Sequence, residues 1–99
     1  MNLNDTKLYN VVIFKRKLYY QTREKMLLRD VMLRLTKDGV RPNTGIQEIF
    51  LVEDMSQVQT GIMFREQVRQ AASHSFTVKG YQNRCLKWMR VRLALEMIR

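Results

Sequence analysis

The spacing of apolar residues in the first half of the chain predicts a strand followed by a long amphipathic helix. Residues 7–14 form an almost continuous apolar run of β-branched and aromatic side chains, which is typical of a central strand covered on both faces. Residues 18–20 either extend this strand or form its return. Residues 22–38 repeat apolar positions at helical spacing, with Thr22 as the N-cap and Gly39 at the C′ position.

The second half of the chain predicts two further strands and leaves two segments open. Residues 46–52 favour a strand because most of them are β-branched or aromatic. Residues 55–73 suit either a weak helix or a long strand that bends into a basic loop. Residues 74–81 alternate apolar and polar side chains, as a strand does. Residues 86–98 fit both periods, and their Leu, Met, Ala, Arg and Glu content favours a helix.

Together these elements predict one α+β domain that spans residues 1–99. If the second strand is long, the order becomes β-α-β-β-α, a ferredoxin-like split βαβ unit whose last strand is absent or displaced. In that arrangement both helices cover one face of the sheet, and the open face is available to partners. Met26 and Leu33 lie away from the apolar stripe of the first helix, where they would meet a partner protein.

Charge adds the strongest indication of function. The 99 residues carry 18 Lys and Arg against nine Asp and Glu, a net charge of +9. The segment from Arg65 to Arg99 is the most basic, with eight cationic and two acidic side chains. A compact domain with this charge repels itself unless a polyanion neutralises it, and nucleic acid is the commonest polyanion. Solubility alone needs a net charge of only about 2–8. We therefore expect the domain to bind nucleic acid.

The composition also disfavours several other functions. Cys85 is the only cysteine, which excludes an internal disulfide and a cysteine zinc cluster and suits a reducing compartment. His74 is the only histidine, so the chain holds no second imidazole for a metal site or a catalytic triad. The apolar runs are too short to span a membrane, and no phosphate-binding glycine loop is present. We expect no enzymatic activity, cofactor, metal, membrane contact or small-molecule substrate.

The candidate RNA contacts are basic residues in segments predicted to be loops or exposed faces. An arginine on a loop directs forked donors at phosphate oxygens, and an exposed aromatic beside it stacks on unpaired bases. A charged turn with no ligand accounts for the same residues, so both interpretations remain open at each position. The proposed contacts are Lys15, Arg16, Lys17, Arg65, Arg69, His74, Lys79, Arg84 and Lys87.

The order of these elements also resembles that of a known family. The resemblance begins with a tyrosine-led strand at 8–14 and an amphipathic helix at 23–39 that ends in glycine. A strand at 49–54 then runs into an acidic pair. Next come Gly61, the basic residues Arg65 and Arg69, and an aromatic strand that begins at 74–76, and a final helix at 86–97 closes the match. Over nearly the whole chain this succession resembles ribosomal protein S-six, a bacterial and organellar family of the small subunit. The tyrosine that the family carries after the acidic pair is absent, and its closing strand is missing or truncated.

The resemblance implies a divergent, mitochondrial member of that family. Such a protein is a structural component of the ribosomal small subunit in the mitochondrial matrix, or alternatively in the cytoplasm. It binds small-subunit rRNA beside ribosomal protein S-eighteen and performs no chemistry. Two other interpretations remain open. One is a small basic viral or phage regulator that acts by protein–protein interaction, and the other is a ribonuclease, which the absence of a convincing acid/base pair around His74 disfavours.

Overall fold

The computed structural model describes residues 6–40, 45–59, 61 and 63–79. The elements are, in order, β1 (Leu8–Phe14), β2 (Leu18–Gln21), β3 (Met26–Leu27), a 3₁₀ turn (Leu28–Asp30), α1 (Val31–Lys37), β4 (Ile46–Val52), a second 3₁₀ turn (Met55–Gln57), α2 (Phe64–Ala71) and β5 (Ala72–Lys79). The fold is α+β, as predicted. Its five-stranded antiparallel sheet and two helices are compatible with a ferredoxin-like split βαβ unit.

The sheet is organised around β1. Its strand order is β2-β1-β4-β5, and β3 pairs with the first residues of β1 on the side that β2 occupies further along. All the pairs are antiparallel. Residues 18–20, whose role the sequence left open, form the return strand of a hairpin. The predicted strands at 7–14 and 46–52 are confirmed within a residue of their bounds.

The two helices pack on opposite faces of the sheet. Successive side chains of a strand point to opposite faces, and both sets of β1 side chains are buried. On one face Val11 of β1 and Leu35 of α1 belong to the same apolar cluster. On the other face Val12 of β1 and Val68 of α2 belong to a second cluster. The sheet is therefore the middle layer, and the expectation that one of its faces stays open for partners is wrong where α2 covers it.

The observed helix α1 is much shorter than the helix predicted at 22–38, because Thr22 and Met26–Leu27 bond to β1 instead. Thr22 is buried and accepts a hydrogen bond from the backbone N–H of Val11 at 2.9 Å, while its own N–H donates to the Val11 carbonyl at 3.0 Å. Its hydroxyl therefore anchors the sheet instead of capping a helix. Met26–Leu27 then pair with β1. Met26 is consequently buried, which corrects its assignment to a partner surface, whereas Leu33 is 72% exposed.

The ambiguous segment at 55–73 contains a helix and not a long strand. In α2 the buried Val68 lies on the side that faces the sheet, and the ring of Phe64 packs against Phe14 with centroids 5.8 Å apart. The backbone becomes extended at Ala72, so β5 begins directly after the helix. The strand predicted at 74–81 thus starts two residues earlier. The helix predicted at 86–98 lies outside the described residues.

The packing of α1 on β1 predicts that two leucines of this helix contribute very differently to stability. Leu35→Ala removes a fully buried side chain and should lower the free energy of unfolding by about 2–5 kcal/mol. Leu33→Ala removes an exposed side chain and should change it by less than about 0.5 kcal/mol. Urea denaturation of both variants measures the difference. Equal losses would contradict the assignment of the buried face of α1.

Candidate nucleic-acid interface

The turn between β1 and β2 presents three consecutive cations at one end of the sheet. The six buried residues of β1 end at Phe14, and Lys15, Arg16 and Lys17 follow in the turn, where the Lys15 N–H donates to the Lys17 carbonyl at 3.2 Å. A surface cavity of about 400 Å³ opens beside this turn. The residues that line it, here named the hairpin cluster, are Lys15, Arg16, Lys17, Leu18, Tyr19, Gly45 and Ile46.

A β-bulge turns the aromatic member of the cluster outward. Ile13 of β1 lies opposite Tyr20 of β2. The next residue, Phe14, lies opposite Leu18, so that Tyr19 is an extra residue in β2. Bulges twist a strand locally and redirect the side chain of the extra residue. Tyr19 is 41% exposed, in an edge strand in which Leu18 is also exposed.

Lys15 and Tyr19 contact each other within the cluster. The Lys15 Nζ lies 3.5 Å from the centroid of the Tyr19 ring, which is a cation–π contact. Leu18 and Ile46 beside them are 45% and 56% exposed. The cluster therefore combines positive charge with an exposed apolar and aromatic surface.

Charge is distributed unequally between the two ends of the sheet. Lys79 lies opposite Ile46 in the β4–β5 register, which places it at the hairpin end. The cations at this end are Lys15, Arg16, Lys17, Arg34, Arg65, Arg69 and Lys79, and the carboxylates are Glu48, Glu66 and Asp38, which accepts a hydrogen bond from Tyr20. At the far end Lys7, Arg23 and Lys25 are balanced by Glu24, Glu53 and Asp54. A polyanion that approaches the described part of the molecule is attracted most strongly to the hairpin end.

Arg65 supports the turn and is not directed at solvent as the sequence suggested. Its guanidinium pairs with Glu48 and donates to the backbone carbonyl of Arg16 at 2.9 Å. The same group lies over the ring of Phe14, 5.0 Å from the centroid. Arg65 thereby ties the start of α2 to the end of β1 and fixes the position of the hairpin turn.

Arg69 is also paired with carboxylates. It bonds Glu66 on its own helix at 2.5 Å and reaches Glu48 on the sheet at 3.3 Å. These contacts raise the pKa of Arg69, with the hydrogen bond to Glu48 as the largest cause. Its side chain remains 47% exposed and adds to the positive potential of the hairpin end, although its two carboxylate partners offset part of this charge.

His74 lies apart from the hairpin cluster. It pairs with Leu51 across β4 and β5, and its ring packs edge-on against Tyr9 on the face that α1 covers. Burial lowers the pKa of His74, Lys7 lowers it further, and Glu53 opposes them, so the imidazole is neutral at pH 7. A neutral, half-buried ring does not neutralise phosphate.

The structure brings some of the predicted contacts together and leaves others apart. Lys15, Arg16 and Lys17 share one surface with Lys79 close by, and Arg65 supports that surface from behind. The predicted contacts Arg84 and Lys87 lie outside the described residues. The apolar members Leu18, Tyr19, Gly45 and Ile46 were not predicted as site residues. A tyrosine two positions after a basic triplet was the available signal, but the bulge that exposes it depends on strand pairing.

Other types of site find no support in the described parts of the chain. There, no group of three or more His, Cys, Asp and Glu side chains could hold a metal ion. No helix among the same residues is both long and apolar enough to cross a membrane. Comparisons with models of protein families, with curated proteins and with solved structures found no match.

The contacts of the two α2 arginines predict different costs for their removal. Arg65→Ala loses the bonds to Glu48 and to the Arg16 carbonyl, and should lower the free energy of unfolding by about 1–3 kcal/mol. Arg69→Ala should lower it much less, because exposed ion pairs contribute little. Thermal or urea denaturation of both variants provides the test. A larger loss for Arg69→Ala would show that Arg65 does not hold the turn.

Proposed function

We propose that this protein is a non-catalytic RNA-binding component of a ribonucleoprotein and that the hairpin cluster is its main contact surface. The observation that carries the proposal is the grouping of Lys15, Arg16 and Lys17 on one turn beside exposed apolar side chains. No carboxylate among the described residues forms an ion pair with any of the three. Their charge is therefore available to an external anion.

Phosphate is the anion that this arrangement suits best. Three neighbouring cations can each neutralise one phosphate of a polynucleotide, and the release of the condensed counterions favours binding. The arginine fork donates two hydrogen bonds to one phosphate. Because Arg65 already holds the backbone of Arg16, less freedom is lost when the turn binds a ligand.

The ribonucleoprotein that we propose is the ribosomal small subunit, in a mitochondrion. Its rRNA would be the ligand, and ribosomal protein S-eighteen would be the neighbour. This part of the proposal rests on the resemblance in the order of elements, whereas RNA binding rests on the hairpin cluster. The position of α2 on the second face of the sheet departs from the arrangement with both helices on one face, so the two parts need separate tests.

The first prediction concerns the salt dependence of RNA binding. Replacing Lys15, Arg16 and Lys17 together by Ala should weaken binding and reduce the slope of log K against log salt by about 2, since each single-strand phosphate contact contributes about 0.7. Fluorescence anisotropy of a labelled RNA, titrated at several salt concentrations, measures this slope.

The matched control removes the same charge elsewhere. Arg23, Lys25 and Arg29 are exposed cations that flank β3 at the far end of the sheet, and replacing them by Ala produces the same net charge. This control variant should retain most of the affinity and of the slope. Equal losses in both triple variants would refute the proposed surface. Partner binding that is insensitive to salt would instead favour an apolar protein interface and contradict RNA binding.

Sedimentation tests the proposed ribosomal host. Tagged protein expressed in cells should sediment with small ribosomal subunits in a sucrose gradient, and the variant that lacks the three hairpin cations should shift toward the top. RNase treatment should release the protein from the subunit fractions. Sedimentation that avoids the small subunit, or that survives RNase in a complex with an acidic protein, would rule out this host.

A further inference from the structure

We infer that the hairpin cluster binds an unpaired nucleotide of single-stranded RNA, with its base against Tyr19 and Leu18 and its phosphate on Lys15, Arg16 and Lys17. This inference rests on the proposed function and specifies its substrate class. The juxtaposition of an exposed aromatic ring, an apolar rim and three cations around one cavity supports it.

The lining of the cavity fits a nucleotide better than it fits a duplex. At about 400 Å³ the cavity lies within the usual range for small-ligand sites, roughly 300–1,000 Å³. Leu18, Tyr19 and Ile46 expose between 41% and 56% of their surface beside it. A duplex offers such side chains sugars, phosphates and the polar edges of paired bases, whereas an unpaired base presents a flat apolar face. The neighbouring cations match the phosphate attached to that base.

Lys15 is positioned to exchange one contact for another when a nucleotide binds. Its ammonium now covers the Tyr19 ring at 3.5 Å from the centroid. A base that enters the cavity displaces this group, because stacking of a base on an aromatic ring is stronger than an exposed cation–π contact. The displaced ammonium is then close to the phosphate of the same nucleotide. The single contact between Lys15 and Tyr19 is thus replaced by two contacts, one between the base and Tyr19 and one between the phosphate and Lys15.

The walls of the cavity are held in place before a ligand binds. Tyr19 is the extra residue of the bulge, and both of its neighbours, Leu18 and Tyr20, are paired with β1. Arg65 holds the Arg16 carbonyl from behind. Gly45 has a φ of 108°, a conformation that other residues rarely adopt, and it leaves its part of the wall without a side chain.

Binding to two RNA probes tests the inference. The probes are a labelled unstructured oligouridylate and a fully paired RNA duplex with the same number of phosphates. Tyr19→Ala should weaken binding to the oligouridylate roughly 5- to 150-fold, the range measured for loss of one base–aromatic stack. It should change duplex binding less than about twofold, because phosphate contacts alone serve the duplex. Tyr19→Phe should bind as the wild type does.

Two controls separate the inference from general effects. Leu33→Ala removes another exposed side chain and should alter neither affinity, and circular dichroism establishes that each variant is folded. In NMR spectra the ε-methylene protons of Lys15 should be shifted by the Tyr19 ring in the free protein. They should move to values typical of exposed lysine when oligouridylate is added.

The outcomes distinguish this inference from the proposed function. If Tyr19→Ala weakens both probes equally or neither, while the triple Ala variant of Lys15, Arg16 and Lys17 loses affinity, the nucleotide site is refuted and RNA binding stands. If that triple variant binds both probes as the wild type does, the proposed function itself fails. Unchanged Lys15 resonances on saturation with oligouridylate would also refute the nucleotide site.

Discussion

The burial of both faces of β1 is the constraint on which the rest of the structure depends. Six of its seven residues are buried, and each fully buried aliphatic or aromatic side chain stabilises the fold by about 1.5–3 kcal/mol. Such a strand needs a layer on each side, which α1 and α2 provide. It also needs neighbours at both edges, which are β4 on one side and β2 with β3 on the other.

The hairpin cluster lies where this burial ends. After Phe14 the chain leaves the core, and charged side chains can occupy the turn without losing their hydration. The same core determines the geometry of the turn, because Arg65 reaches it from α2 while lying over the Phe14 ring. A rigid scaffold thus presents a basic, partly apolar turn, and binding residues are commonly placed on loops of this kind.

The sequence predicted what short-range patterns determine and failed where distant residues compete. The apolar runs of β1 and β4 identified both strands, and the basic triplet predicted as an RNA contact lies together on the turn after β1, beside the cavity. The helix start at Thr22 was wrong, because this side chain bonds Val11 across the sheet. Arg65 pairs with Glu48, and His74 packs against Tyr9. Tyr19 is the extra residue of a bulge between paired strands. All of these features depend on residues that are distant in the sequence, so local spacing does not predict them.

The central claim is that RNA contacts the protein at the hairpin cluster. Chemical-shift changes in an isotopically labelled sample, followed residue by residue as oligouridylate is added, test it most directly. The account predicts the largest changes at residues 15–19 and 45–46, with the exposed residues of α1 nearly unchanged. Changes concentrated on α1, or around His74 and Lys7 at the far end of the sheet, would contradict it.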